Sequence, residues 1–208
     1  MRYLTSYYKV QKFISIFKRR YERLIPYKGS KKYLDLGCGN NISKDFINVD
    51  YIWMPGVDIC MDIAKHNLPL KSNSIEGIFS EHCIEHLPYD EMDRIFKEFH
   101  RILKRGSLVR IIVPDGEIYL NAYVKKVNGG INEIPYYENS RTAMERINGI
   151  FRNHGHLFIY DFETLKLLLE EAGFKQIEKR LYLEGRNPFL LKDSEWRKVE
   201  SLYVEAEK

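Results

Sequence analysis

The 208-residue chain is 44% apolar and 30% charged, with a formal charge of +4 at pH 7. That length suits one domain with at most a small appendage, and the composition excludes long disorder. No apolar run approaches the ~20 residues that cross a bilayer, and the charged start Met1-Arg2-Tyr3 does not lead into a signal-peptide stretch, so a cytoplasmic protein is expected.

Charge is unevenly spread. Residues 1–32 carry ten basic side chains against the single Glu22, which leaves the remainder slightly acidic. In that stretch Tyr3, Tyr7, Val10, Ile14, Phe17, Tyr21 and Leu24 recur at steps of four and three, the spacing of an amphipathic helix ending before Pro26. Residues 1–28 are therefore read as a basic amphipathic helix and 29–208 as the main domain. Short strands follow at 31–36, 46–50, 56–60 and 74–80, the first running into the turn Gly37-Cys38-Gly39. A helix opens at Asp90, with Gly106 as its stop. The β-branched run 107–113, closed by Pro114, is the clearest strand and is expected to lie centrally. Residues 115–151 loosen into a tyrosine-rich stretch too long for a plain connection. Asp161 then caps a helix ending at Gly173, and strands over 176–183 and 199–205 finish the chain. Cys38, Cys60 and Cys83 are far apart and lack a Cys-x-x-Cys pair, so neither a disulfide framework nor a zinc ribbon is signalled.

Alternating strands and helices define an α/β, doubly wound sheet, whose ligands sit outside the carboxyl ends of the strands where strand order reverses. Gly37 to Gly39, Asp50, Asp62 and Ser80 to His82 should meet there. A dinucleotide turn wants a third small residue at position 42, where this chain has the bulky Ile42. A phosphate-free nucleoside ligand bearing an ammonium group fits better, with Asp35 beside the turn for that ammonium. Asp50, at a strand end, can accept both ribose hydroxyls, and Asp62 the adenine amino group; Asp58 competes with them.

The segments Leu34-Asp35-Leu36-Gly37-Cys38-Gly39, Leu68-Pro69-Leu70-x-x-x-Ser74, His82-x-x-Glu85-His86-Leu87, Arg101-Ile102-Leu103-Lys104-x-Gly106 and Glu170-Glu171-Ala172-Gly173-Phe174 together resemble the class I, type 11 methyltransferases. The resemblance covers roughly residues 31–206. It implies a Rossmann-like, seven-stranded sheet with an antiparallel last hairpin and S-adenosyl-L-methionine as cofactor, to which the loosened stretch read above adds an insertion before the last helix. By position it implies Asp35, Gly37 and Gly39 at the methionine end, Asp50 at the ribose, Asp62 and Ile63 at the adenine, and Ser80 and Glu81 on the far side. Ten residues separate Gly39 from Asp50 and seven separate Asp50 from Asp58, so the helices after the first two strands must be very short or absent. That shortened form resembles a subgroup associated with glycan modification.

On the acceptor side the expected catalytic residues are His82, just past a strand end, and His154 and His156 at the return from the insertion, which at 115–156 would form an acceptor wall or lid. The acceptor is expected to be a small molecule or glycan. The inverted zinc-protease pattern His-x-x-Glu-His is also met by residues 82–86, but it begins at a strand end and Pro88 follows shortly, so no metal is expected. The alternatives are a scaffold that kept the fold without the chemistry and, less favoured, a nicotinamide-dependent oxidoreductase. For the basic helix the expectation is packing of its apolar seam on the sheet or on a twin subunit as a homodimer, ahead of contact with an anionic membrane surface; no nucleic-acid module is recognised.

Overall fold

The computed structural model describes residues 6–208, without the side chains of residues 6–8 and 139. Its elements are α1 Ser6–Glu22, β1 Tyr33–Leu36, β2 Phe46–Asp50, β3 Ile59–Cys60, β4 Ile75–Glu81, α2 Met92–Ile102, β5 Leu103–Pro114, α3 Gly116–Val127, α4 Ala143–Arg152, α5 Phe162–Glu171, β6 Lys175–Arg180 and β7 Ser201–Glu207. The strands form one seven-stranded sheet in the order β3-β2-β1-β4-β5-β7-β6. Pairing is parallel from β3 to β5, and β7 runs antiparallel to both β5 and β6. Strand order reverses between β1 and β4, which opens a crevice at their carboxyl ends.

Alternation along the strands builds two apolar faces. On one, Leu34, Ile78, Val109 and Ile111 pack with Phe99 of α2 and Leu165 and Leu169 of α5. On the other, Phe46, Phe79, Ile112 and Tyr203 pack with Leu190. Each fully buried large apolar side chain contributes about 1.5–3 kcal/mol, so the sheet is the main stabilising layer. Between β1 and β4, among the described residues, no helix is inserted; turns alone join these strands. Ile42 consequently meets no helix and instead covers Gly56, where an added Cβ would lie 2.6 Å from Ile42 Cγ2.

Two boundaries differ from the sequence reading. The helix opening near Asp90 ends at Ile102, not at Gly106, because Leu103 already pairs with Ile75; Gly106 lies inside β5 at φ +76, its N–H donating to the Lys208 carbonyl. The last hairpin is also shorter on its first arm, since the chain leaves the sheet after Arg180 and crosses it before returning as β7.

The apolar seam of α1 is the larger correction. Tyr3 lies outside the described residues, as does the side chain of Tyr7, while Val10, Phe17, Tyr21 and Leu24 are exposed and Ile14 is half-buried. The helix docks through its polar face. Ser15 Oγ accepts from the Trp53 N–H at 2.8 Å, Glu22 Oε2 from the Cys60 N–H at 2.6 Å, and Arg19 donates to the Tyr51 carbonyl at 2.7 Å. These bonds satisfy the free edge of β3 and its approach, a need that outweighs burial of the seam.

Candidate active site

The glycine turn closes β1 with Gly37 at φ +72 and Gly39 at φ +52. At Gly37 an added Cβ would stand 2.5 Å from Cys83 Sγ, whereas at Gly39 it would meet nothing within 4 Å. The turn thus packs on protein at its first glycine and leaves open space at its second, as a backbone cradle requires. Asp50 closes the cradle: its carboxylate accepts from the Gly39 N–H at 2.9 Å and from the Ile52 N–H at 2.7 Å. Asp50 lines one cavity together with Gly37, Asp62, Ile63, Cys83 and Leu87. Asp58 does not; its carboxylate is held by Lys31 and by the Asn48 backbone, both at 2.8 Å. Asp62 caps its own turn through the Ala64 N–H, and the Ile63 carbonyl accepts from Arg94 at 2.6 Å, which pins the loop facing Asp50.

A second small cavity shares Gly37 and adds Asp35, Phe79, Glu81, Lys192 and Ser194. Asp35 is 3% exposed and pairs with Lys192 Nζ at 2.5 Å. Burial pushes its carboxyl upward while the ammonium opposes the rise. Glu81 accepts from both the backbone and the hydroxyl of Ser194, at 2.8 and 2.6 Å. Ser80 lines neither cavity: β4 alternates, so with Phe79 and Glu81 facing the cleft, Ser80 points to the opposite face of the sheet, as Ile78 does, and is buried. Lys192 and Ser194 escaped the sequence reading, since they lie in the crossing segment of residues 181–200, far in sequence from the glycine turn.

Residues 82–87 separate these cavities from a larger one of about 550 Å³. Cys83 and Leu87 face the glycine side, and His82, Glu85 and His86 the other, where His154, His156, Arg146, Trp196, Arg197 and Glu200 complete the wall. All three expected histidines meet here. The insertion supplies this wall because it folds on a small core of its own, with Tyr119, Ala143, Ile147 and Ile150. Arg146 ties α4 to the Pro135 carbonyl at 2.8 Å and to Tyr119 Oη at 3.0 Å, while Tyr119 donates to Glu200 at 2.5 Å.

His82 takes φ +48 directly after β4, a conformation uncommon outside glycine. Its Nε2 sits 2.9 Å from Ser201 Oγ. Burial, reinforced by Arg197, lowers it to about 2, so its ring stays neutral. Burial likewise lowers His86 and His156, each partly restored by a backbone carbonyl, and raises Glu85 to about 8. The His-x-x-Glu-His pattern spans a strand end and one short 3-10 turn, Ile84–His86, not a helix. Its two imidazoles therefore lack the one-turn helical spacing of a zinc protease.

A seven-stranded sheet with this reversed last strand, carrying a glycine turn after β1 and an aspartate at the end of β2, is the architecture of a class I S-adenosylmethionine-dependent methyltransferase. The chain belongs to the methyltransferase-domain family, whose pattern matches residues 9–179. No curated protein sequence matches it. Similar solved structures include an S-adenosylmethionine-dependent methyltransferase from Archaeoglobus fulgidus, 17% identical at a TM-score of 0.53, with 95% of this chain and 94% of that one covered. Another from Thermotoga maritima is 18% identical at 0.52, covering 97% and 92%. Phosphoethanolamine N-methyltransferase 2 of Haemonchus contortus, in complex with S-adenosyl-L-methionine, is 17% identical at 0.52, with 96% of this chain aligned to 52% of that one. At such identities the likeness speaks for the fold.

Proposed function

We propose that this methyltransferase moves a methyl group from S-adenosylmethionine to an oxygen or nitrogen of a small molecule or glycan held in the histidine-lined cavity. The observation that carries this reading is that two sites adjoin along residues 82–87: Cys83 and Leu87 border a glycine-and-aspartate cleft, and His82, Glu85 and His86 border a polar, aromatic cavity. The donor supplies a methyl carbon on a positively charged sulfur, open to in-line attack. The chain's own residues contribute alignment, which is the main requirement of such a displacement. In this reading Asp35, Gly37 and Gly39 line the methionine end, Asp50 holds the ribose, and Asp62 and Ile63 meet the adenine. Glu81, fixed by Ser194, bounds the far side. Tyr136 and Trp196 offer aromatic faces, and Arg146, Arg197 and Glu200 offer charged groups, a mixture suited to a sugar or another flat, hydroxylated acceptor. His82, His154 and His156 bound the acceptor's reacting side.

Calorimetry with S-adenosylhomocysteine tests the donor half. Binding is expected in the wild type and should be lost in Gly39→Val and Asp50→Asn. A folded wild type that binds neither S-adenosylmethionine nor S-adenosylhomocysteine refutes it. A scaffold without chemistry would bind both and never turn over.

We further propose that α1 rests on an anionic membrane surface. Phe13 and Ile16 are 62% and 59% exposed on the face opposite the docked one, and exposed Lys9, Arg20 and Arg23 flank them. Two such basic-rimmed faces would repel each other in a symmetric dimer, whereas anionic headgroups would attract them. Among the described residues no helix is long and apolar enough to cross a membrane.

A further inference from the structure

The turn Ile84–His86 carries a buried group that methyl transfer as described above does not use. Glu85 is fully buried, and neither of its carboxylate oxygens has a hydrogen-bond donor. Three imidazoles face its Oε1, with His82 Nδ1 at 3.4 Å, His86 Nε2 at 3.7 Å and His156 Nε2 at 4.0 Å. These distances are too long for hydrogen bonds. His156 fixes the polarity of the gap. Its Nδ1 lies 2.6 Å from the Ile150 carbonyl oxygen, which can only accept, so Nδ1 carries the hydrogen and Nε2 turns a lone pair towards the carboxylate. A single proton on Glu85, or one on His82 Nδ1, serves only part of this group of converging acceptors, whereas a cation satisfies them together.

We propose that Glu85, His86 and His156 bind a divalent transition-metal ion in the wall of the acceptor cavity. Their ligand atoms all lie within 4.8 Å of one another. Metal–ligand bonds of about 2.0–2.2 Å give tetrahedral edges of about 3.4 Å, so small side-chain adjustments close the separations seen. Two imidazoles and one carboxylate suit zinc and its first-row neighbours, whereas magnesium favours oxygen ligands throughout. The bond from His156 Nδ1–H to Ile150 is the outer contact that holds a metal-ligating imidazole in one tautomer. His82 stays outside the ligand set, engaged with Ser201. The site therefore differs from the zinc-protease pair of His82 and His86 and replaces the sequence-based expectation of no metal.

Three protein ligands leave a coordination position open to the cavity. The identity of its occupant rests on the methyl-transfer reading: a hydroxyl oxygen of the acceptor, which a bound cation stabilises in its deprotonated form while the proton leaves to solvent past exposed His154 and Trp196. An alcohol, phenol or sugar hydroxyl fits this better than an amine.

Calorimetry of the chelator-treated full-length protein with zinc chloride alone reads the site directly. One equivalent is expected to bind, weakened roughly 100-fold in Glu85→Gln and in His86→Ala, and unchanged in His66→Ala, a histidine outside the cavity. Magnesium chloride should give no comparable binding. The His86 side chain is 37% exposed, so its removal leaves the core intact. Absence of stoichiometric zinc binding in the wild type, or binding that both site variants leave untouched, overturns the proposal. S-adenosylhomocysteine titrated into the same proteins separates the two readings: donor affinity that persists where zinc affinity is lost supports a distinct metal site, and a wild type that binds zinc but no S-adenosylhomocysteine sinks only the donor reading.

Discussion

Gly37 and Gly39 share a left-handed backbone and differ in their surroundings, which makes them separable probes of fold and ligand. At either position a Cβ in this region costs about 1–2 kcal/mol. At Gly37 the collision with Cys83 adds roughly 1–3 kcal/mol of overpacking. Gly39→Ala should therefore lose affinity for S-adenosylhomocysteine with a modest drop in melting temperature, and Gly37→Ala should lose both affinity and a larger share of stability. Equal losses of stability in the two, read by thermal unfolding, would contradict this assignment of the open space. The glycine turn was legible in the sequence because a short strand runs straight into Gly-x-Gly, a pattern that by itself is a weak signal of what binds there. The choice between Asp50 and Asp58 was not legible, since both follow short strands; only their partners distinguish them, Gly39 for the first and Lys31 with Asn48 for the second. Lys192 was invisible for another reason: its meeting with Asp35 spans 157 positions of sequence.

Among the elements, α1 shows how a correct periodicity can give a wrong neighbour. The apolar spacing predicts the helix, and the helix forms. Periodicity alone cannot say that Gln11, Ser15 and Glu22 are the residues that dock, because hydrogen bonding to an edge strand leaves no repeating apolar signature. The exposed stripe then becomes the informative surface. Co-sedimentation with phosphatidylserine-containing vesicles should retain the protein at low salt, release it as salt rises, and fail with neutral phosphatidylcholine vesicles. Phe13→Glu with Phe17→Glu should reduce retention about tenfold or more, since each buried aromatic side chain contributes about 1.5–3 kcal/mol. If light scattering instead finds a stable dimer that the same pair of substitutions dissociates, the stripe is a subunit interface and the membrane reading fails.

At the scale of the whole molecule, the strands were readable because β-branched runs and glycine punctuation recur at short intervals, and the antiparallel last hairpin through the family resemblance, while the clamp that joins the donor cleft to the last hairpin was not. Residues 181–200 cross from β6 to β7 with only short 3-10 turns, and they carry Lys192 and Ser194 to the cleft. What holds this segment is Arg110, fully buried in β5. It donates to both Asp193 oxygens at 2.8 and 2.5 Å, to the Glu184 carbonyl at 2.8 Å and to Glu205 at 3.3 Å. In a strand of alternating residues, a lone arginine reads as a solvent-facing position, and its partner Asp193 stands 83 residues away. Removing Arg110 leaves the buried Asp193 without its cation, a loss of about 3–5 kcal/mol, while Glu205 keeps Arg180 and Arg186. Arg110→Met should show that loss in urea unfolding and, at temperatures where it stays folded, a weaker affinity for S-adenosylhomocysteine, because Lys192 and Ser194 lose their mooring. Replacing Asp193 with an apolar residue in the same chain should restore much of the stability, since Glu205 keeps Arg180 and Arg186 as partners and no unpaired carboxylate then remains. If Arg110→Met instead unfolds like the wild type and binds the donor analogue as tightly, the crossing segment is held by its apolar contacts, Leu190 foremost, and the network is incidental to the cleft.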